Sequence, residues 1–89
     1  GDTMSNEDKV LLAIFDEGKK DSPNMGREIT RNKFNMELDV FGIALKKLSD
    51  LELIKGANIV LSSGNVAAVF TNNISITDTG KEYVSKNLI

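Results

Sequence analysis

The chain has 89 residues, 40% of them apolar, and a formal net charge of −2, which suits one globular domain with a thin core. It contains neither cysteine nor histidine, so disulfides, a structural zinc site and Cys/His catalysis are excluded. No apolar run approaches the ~20 residues that span a bilayer, and the polar, acidic start GDTMSNEDK is unlike a signal peptide; a cytoplasmic protein is expected.

Residues 1–4 are expected to lie outside the fold, disordered or left over from cloning, with Met4 as the natural start. Residues 5–89 are expected to form a single domain. Charge is unevenly spread along them. Residues 1–18 carry −4 and residues 34–56 carry −1, whereas residues 19–33 carry +3, from Lys19, Lys20, Arg27, Arg31 and Lys33 against Asp21 and Glu28. A local basic segment steers an anionic partner even when the net charge is negative.

The first helix is predicted to start at Ser5, where Ser5-Asn6-Glu7-Asp8 resembles a capping box and the acids suit the positive end of the helix dipole. Val10, Leu11, Ile14 and Phe15 fall on one face at helical spacing. The acid pairs Glu7-Asp8 and Asp16-Glu17 fall on the opposite, solvated face, and the helix frays after Gly18. Ser22-Pro23 signals a second helix over about 23–32, because proline at the first helical position loses no hydrogen bond. Met25 and Ile29 would face inward, and Arg27, Glu28 and Arg31 outward.

A third helix is predicted from about Met36 to Leu51. At 100° per residue, Leu38, Val40, Phe41, Ala44, Leu45, Leu48 and Leu51 share a core arc, opposite Met36, Asp39, Gly42, Ile43, Lys46 and Lys47. Leu53-Ile54-Lys55-Gly56 leads into a strand that continues through Ile59, Val60 and Leu61. Ser62-Ser63-Gly64-Asn65 is a turn cluster, and Val66–Phe70 is the return strand of a hairpin. Ile74-Ser75-Ile76 is a short extended piece. Thr77 caps a last helix, on which Tyr83, Val84 and Leu88 pack back.

Three helices, a β-hairpin and a C-terminal helix are the element order of an α+β winged helix-turn-helix domain. The run FGIALKKLSDLELIKG, the hairpin and ITDTGKEYV together resemble bacterial winged-helix proteins. The third helix of those proteins often ends in a Leu-Ile-Gly-like step, and their post-wing helix often opens with Leu-Thr-x-x-Gly. Ile76, Thr77 and Gly80 match that opening, and Tyr83 and Val84 its apolar continuation. More narrowly, the chain resembles the YjcQ-like family of small, often phage-associated proteins of Gram-positive bacteria. The resemblance covers the chain from Phe41 onward. It implies the fold, and neither an enzyme activity nor a cofactor.

Two functions compete. In a DNA-binding winged helix the third helix enters the major groove and lysines and arginines hold phosphates. Lys46 and Lys47 would then lie on the reading face, and Arg27, Arg31 and Lys33 would contact the backbone of double-stranded DNA, as in a phage-type regulator. Glu37 and Asp39 at the start of that helix and an uncharged wing oppose this, although a homodimer would double the basic sites. The alternative is a protein-interaction or dimerisation module without DNA binding, in which Met36 and Ile43 form a contact patch. Both sets of residues also read plainly, the lysines as a solvated face and Met36 and Ile43 as packing against a neighbouring helix. No enzyme, cofactor, metal, membrane or small-molecule site is expected. The turn Ser62-Ser63-Gly64-Asn65 lacks the Gly-Lys-Ser/Thr ending of a phosphate loop.

Overall fold

The computed structural model describes residues 4–89; the expectations for Gly1–Thr3 lie outside them. Helix α1 (Asn6–Gly18) starts where the Ser5 side chain accepts the Asp8 N–H at 3.2 Å. It buries Val10, Leu11 and Ile14 against the rest of the core.

The second helix is shorter than predicted. Helix α2 is a single turn, Met25–Glu28, capped by Asn24, whose side chain accepts the Arg27 N–H at 3.2 Å. A 3-10 turn, Arg31–Phe34, follows it. Ser22 and Pro23 stay in the preceding loop, because the buried Glu17 carboxylate accepts the Asn24 N–H at 2.9 Å and fixes the cap two residues later. Farther on, Ile29 leaves helical geometry (φ −102, ψ 82), and its carbonyl accepts the buried Thr71 hydroxyl at 2.8 Å. Met25 and Ile29 face inward as expected.

Helix α3 spans Leu38–Asp50, not Met36–Leu51. Asn35 adopts a left-handed conformation (φ 53), and the Met36 N–H closes back on the Arg31 carbonyl at 3.0 Å. Met36 therefore precedes the helix, and helical spacing does not govern where it points: it is buried in the core, contrary to its predicted outward position. Phe41, Ala44, Leu45 and Leu48 are buried as expected, whereas Val40 and Leu51 are 37% and 64% exposed. The buried arc is narrower than the apolar arc of the sequence, and these two lie at its edge, with Leu51 already at the helix cap. Gly42, predicted to face outward, is covered by the hairpin: a Cβ there would lie 2.8 Å from both methyl carbons of Val66.

The predicted hairpin forms, and a second, separate antiparallel ladder accompanies it. Strand β1 (Ile54–Lys55) pairs with β4 (Ser75–Ile76), and β2 (Asn58–Ser62) pairs with β3 (Asn65–Phe70). Gly56 breaks the expected continuous strand. It holds φ +84, and a Cβ there would overlap the Asn73 carbonyl. In the hairpin, Val60 pairs with Ala68 and Leu61 with Val66, so Ala67 is the extra residue of a bulge. Ser63 and Gly64 make the turn, both at positive φ (53 and 81), the geometry whose twist matches the strands. Helix α4 (Asp78–Asn87) is capped by Thr77 as predicted, and fully buries Val84 against the core.

The candidate recognition surface

The residues predicted to meet a partner lie on α2 (Arg27), in the 3-10 turn (Arg31, Lys33), just before α3 (Met36) and on α3 (Ile43, Lys46, Lys47). At 100° per residue, Ile43 lies at the centre of the exposed arc of α3. It is 53% exposed. Asp39 and Lys46 flank it on the hairpin side, in a shallow groove completed by Ile59, Leu61 and Val66. Lys47 flanks it on the other side and reaches α1, with its Nζ 3.1 Å from Glu7 Oε1.

The predicted cations sit in different surroundings. Lys46 pairs with Asp50 at 3.2 Å, Lys47 with Glu7 at 3.1 Å and Lys33 with Glu28 at 3.4 Å. Such surface pairs are worth only ~0–1 kcal/mol each, but every one offsets a charge expected to face DNA. Arg27 and Arg31 are exposed and form no ion pair among the described residues. Arg31 lines a separate cleft under the 3-10 turn, beside Phe70. Of the two predicted protein-contact residues, Ile43 is available and Met36 is not.

Three of the four α1 acids predicted to be solvated, Glu7, Asp8 and Glu17, are engaged, whereas Asp16 is exposed as predicted. Tyr83 donates its hydroxyl to Asp8 Oδ1 at 3.2 Å, which ties α4 to α1. Burial raises the Tyr83 pKa, and the Asp8 carboxylate adds to the shift. The Glu7 carboxyl is held below its ordinary value, first by its own backbone N–H and then by Lys47. Glu17, only 5% exposed, joins Lys20 at 2.8 Å and the Asn24 N–H at 2.9 Å. Those two contacts, with Lys20 the larger, lower its pKa. Sequence spacing pointed to solvent here because the loop that returns over the C-terminal end of α1 is invisible to periodicity.

A depressed carboxylate stabilises the fold above its unfolded pKa of about 4.3 and loses that contribution as pH falls through the folded value. Thermal melts followed by circular dichroism from about pH 6 down to about pH 3 should therefore fall less steeply for Glu17→Gln than for the parent. The variant should also melt lower than the parent at neutral pH. Parallel curves, offset by a constant amount, would assign the acid dependence to other carboxylates.

Taken together, the described residues form an α+β domain compatible with a winged helix, in which the crest of α3 and the adjoining hairpin make an open face. The family model described as YjcQ protein matches residues 9–89, and the chain belongs to that family. No curated protein and no solved structure matches the chain. Among the described residues no helix is long and apolar enough to cross a membrane.

Proposed function

We propose that this winged helix works by protein contact, and that α3 mediates association with a second copy of the chain. The observation that carries this reading is the arrangement of α3. Its exposed centre is apolar, its lysines are paired with local acids, and its charges are self-complementary. Two α3 helices packed antiparallel about a two-fold axis at Ile43 would bring the two Ile43 side chains together. Asp39 of each copy would then face Lys46 of the other, and Val40 would lie along the stem of Lys47. Isologous contacts of this kind are the commonest route to a closed dimer. Leu61 of the hairpin, 54% exposed and lining the groove beside Ile43, extends the apolar margin.

Sedimentation velocity across a concentration series tests this. The parent is expected to shift from monomer towards dimer as concentration rises, and Ile43→Asp to remain monomeric. Charge reversal offers a sharper check: Asp39→Lys and Lys46→Asp should each weaken the dimer, and the double variant should restore it. A parent that stays monomeric at millimolar concentration would overturn the proposal.

A second reading, double-stranded DNA binding in the manner of a phage-type regulator, is favoured by one observation: Arg27 and Arg31 are exposed without an ion-pair partner among the described residues. Each phosphate contact adds to the slope of log K against log salt. A salt series on mixed duplex DNA, repeated with both arginines replaced by alanine, decides it: the DNA reading expects a flatter slope, and no binding at low salt would remove it.

A further inference from the structure

Phe70, the last residue of β3, stands 52% exposed on the surface. A single exposed apolar side chain is ordinary; the setting of this one is not. The residue lines two clefts. One, of about 460 Å3, has an apolar floor that includes Ile29, Leu38 and Phe41, and a rim that includes Thr30 and Arg31. The other, of about 330 Å3, is lined otherwise by Gly56, Asn58, Asn72 and Asn73. Asn72 belongs to both. Both volumes fall in the range of small-molecule sites, roughly 300–1,000 Å3.

The surroundings of the ring are built. Asn58 is the direct cross-strand partner of Phe70, so their side chains project on the same face of the hairpin. The residue after Phe70 is anchored, because the buried Thr71 hydroxyl donates to the Ile29 carbonyl at 2.8 Å. Asn72 is packed against α2 closely enough that a Cβ on Gly26 would lie 3.1 Å from its Cβ. Gly56, at φ +84, lets the chain pass against the Asn73 carbonyl.

The chemistry of this constellation is specific in class. An exposed aromatic ring offers a stacking platform to a planar base. Asn58, Asn72 and Asn73 offer paired amide donors and acceptors, which match the edges of a nucleobase. Arg31, with no ion pair among the described residues, offers a guanidinium fork to phosphate. In a chain with 13 acidic residues, neither cleft is lined by a carboxylate, so nothing on the walls repels an anion. We propose that the Phe70 ridge is a nucleobase-stacking site that takes a base carrying a phosphate, either as a free nucleotide or as one unit of single-stranded nucleic acid. The base lies on the ring, its edge meets the asparagine amides, and Arg31 takes the phosphate. This site is separate from the crest of α3 and does not depend on self-association.

The test is a titration of the 15N-labelled protein with adenosine monophosphate and, separately, with a short single-stranded oligodeoxyadenylate, read by amide chemical shifts. Saturable shifts centred on Asn58, Phe70 and Asn72 are expected with one probe or both. Binding of the nucleotide assigns a nucleotide site, and binding of the oligonucleotide alone assigns single-stranded nucleic acid. Phe70→Leu keeps an apolar residue at an exposed position and should weaken binding by about tenfold or more. Arg31→Gln should weaken the phosphate-bearing probe while leaving the weaker binding of adenosine unchanged. Amide spectra of both variants report whether they remain folded. The proposal is overturned by an absence of saturable shifts with both probes at millimolar concentration, by shifts centred elsewhere, or by parent-like affinity of a folded Phe70→Leu.

Discussion

Replacing Gly80 by alanine is expected to destabilise the domain by about 3–4 kcal/mol, a substantial share of the roughly 5–15 kcal/mol that holds a domain folded. Gly80 lies in the first turn of α4, where its N–H donates to the Thr77 hydroxyl at 3.0 Å. The same hydroxyl donates to the Glu52 carbonyl at 2.6 Å, and the Thr77 N–H donates to the Leu53 carbonyl at 3.1 Å. The start of α4 is thus bonded to the chain entering β1, and a Cβ on Gly80 would overlap the Leu53 carbonyl and come within 2.7 Å of Ile76 Cγ1. Backbone, unlike the end of a long side chain, cannot move aside cheaply. Overpacking of this kind costs ~1–3 kcal/mol, and the shift it forces breaks a cap worth ~0.5–2 kcal/mol. The better helix propensity of alanine returns at most ~1 kcal/mol. Denaturant unfolding of Gly80→Ala measures the balance. A variant as stable as the parent would show that α4 can move away from β1 without loss.

Phe41→Ala should cost about 3–5 kcal/mol, as truncation of a buried aromatic does. Phe41 is 3% exposed, its ring centroid is 6.0 Å from that of Phe34 with the planes 28° apart, and it forms part of the floor of the cleft beside Phe70. It therefore joins α3 to the 3-10 turn as well as filling the core. The same unfolding experiment gives the answer, and a loss under about 1 kcal/mol would place Phe41 outside the cooperative core. Because Phe34 is only partly buried, Phe34→Ala should cost less than Phe41→Ala. That ordering separates the packing of the core from the stacking of the two rings.

Much of the framework was legible in the order of residues. Ser5 and Thr77 cap the helices they were expected to cap, and Phe41, Ala44, Leu45 and Leu48 form the buried face of α3. The turn at Ser63-Gly64 closes the hairpin. These features are local: a cap acts over three residues, a helical face repeats along its own chain, and a turn carries its own φ requirement. The Thr77-x-x-Gly80 motif was legible as a pattern, while the reason for its glycine, the Leu53 carbonyl, was not.

The second helix and the functional surfaces were less legible. Ser22-Pro23 is a sound local start signal, and it loses to the Glu17 carboxylate, which claims the Asn24 N–H from across the loop. Met36 looks outward on a wheel that does not apply to it, because the left-handed Asn35 places it before the helix. The bases between Lys19 and Lys33 stand together in sequence, yet Lys20 and Lys33 are paired with Glu17 and Glu28. Phe70 was read only as the end of a strand. The one signal available was that neighbours in a strand face opposite ways, so Val69 and Phe70 cannot both turn inward.

The sequence by itself determined the order of the main helices and the hairpin, the centre of the core and the capped starts of the first and last helices. Short-range geometry and the spacing of apolar residues suffice for these. Only the tertiary structure decided that Gly42 lies under the hairpin, that Ile43 is left open while Met36 is closed, and that Arg31 shares a cleft with Phe70 and Asn72. Each of those facts depends on which distant backbone group or side chain occupies the neighbouring space, and periodicity along one segment carries no information about what packs against it.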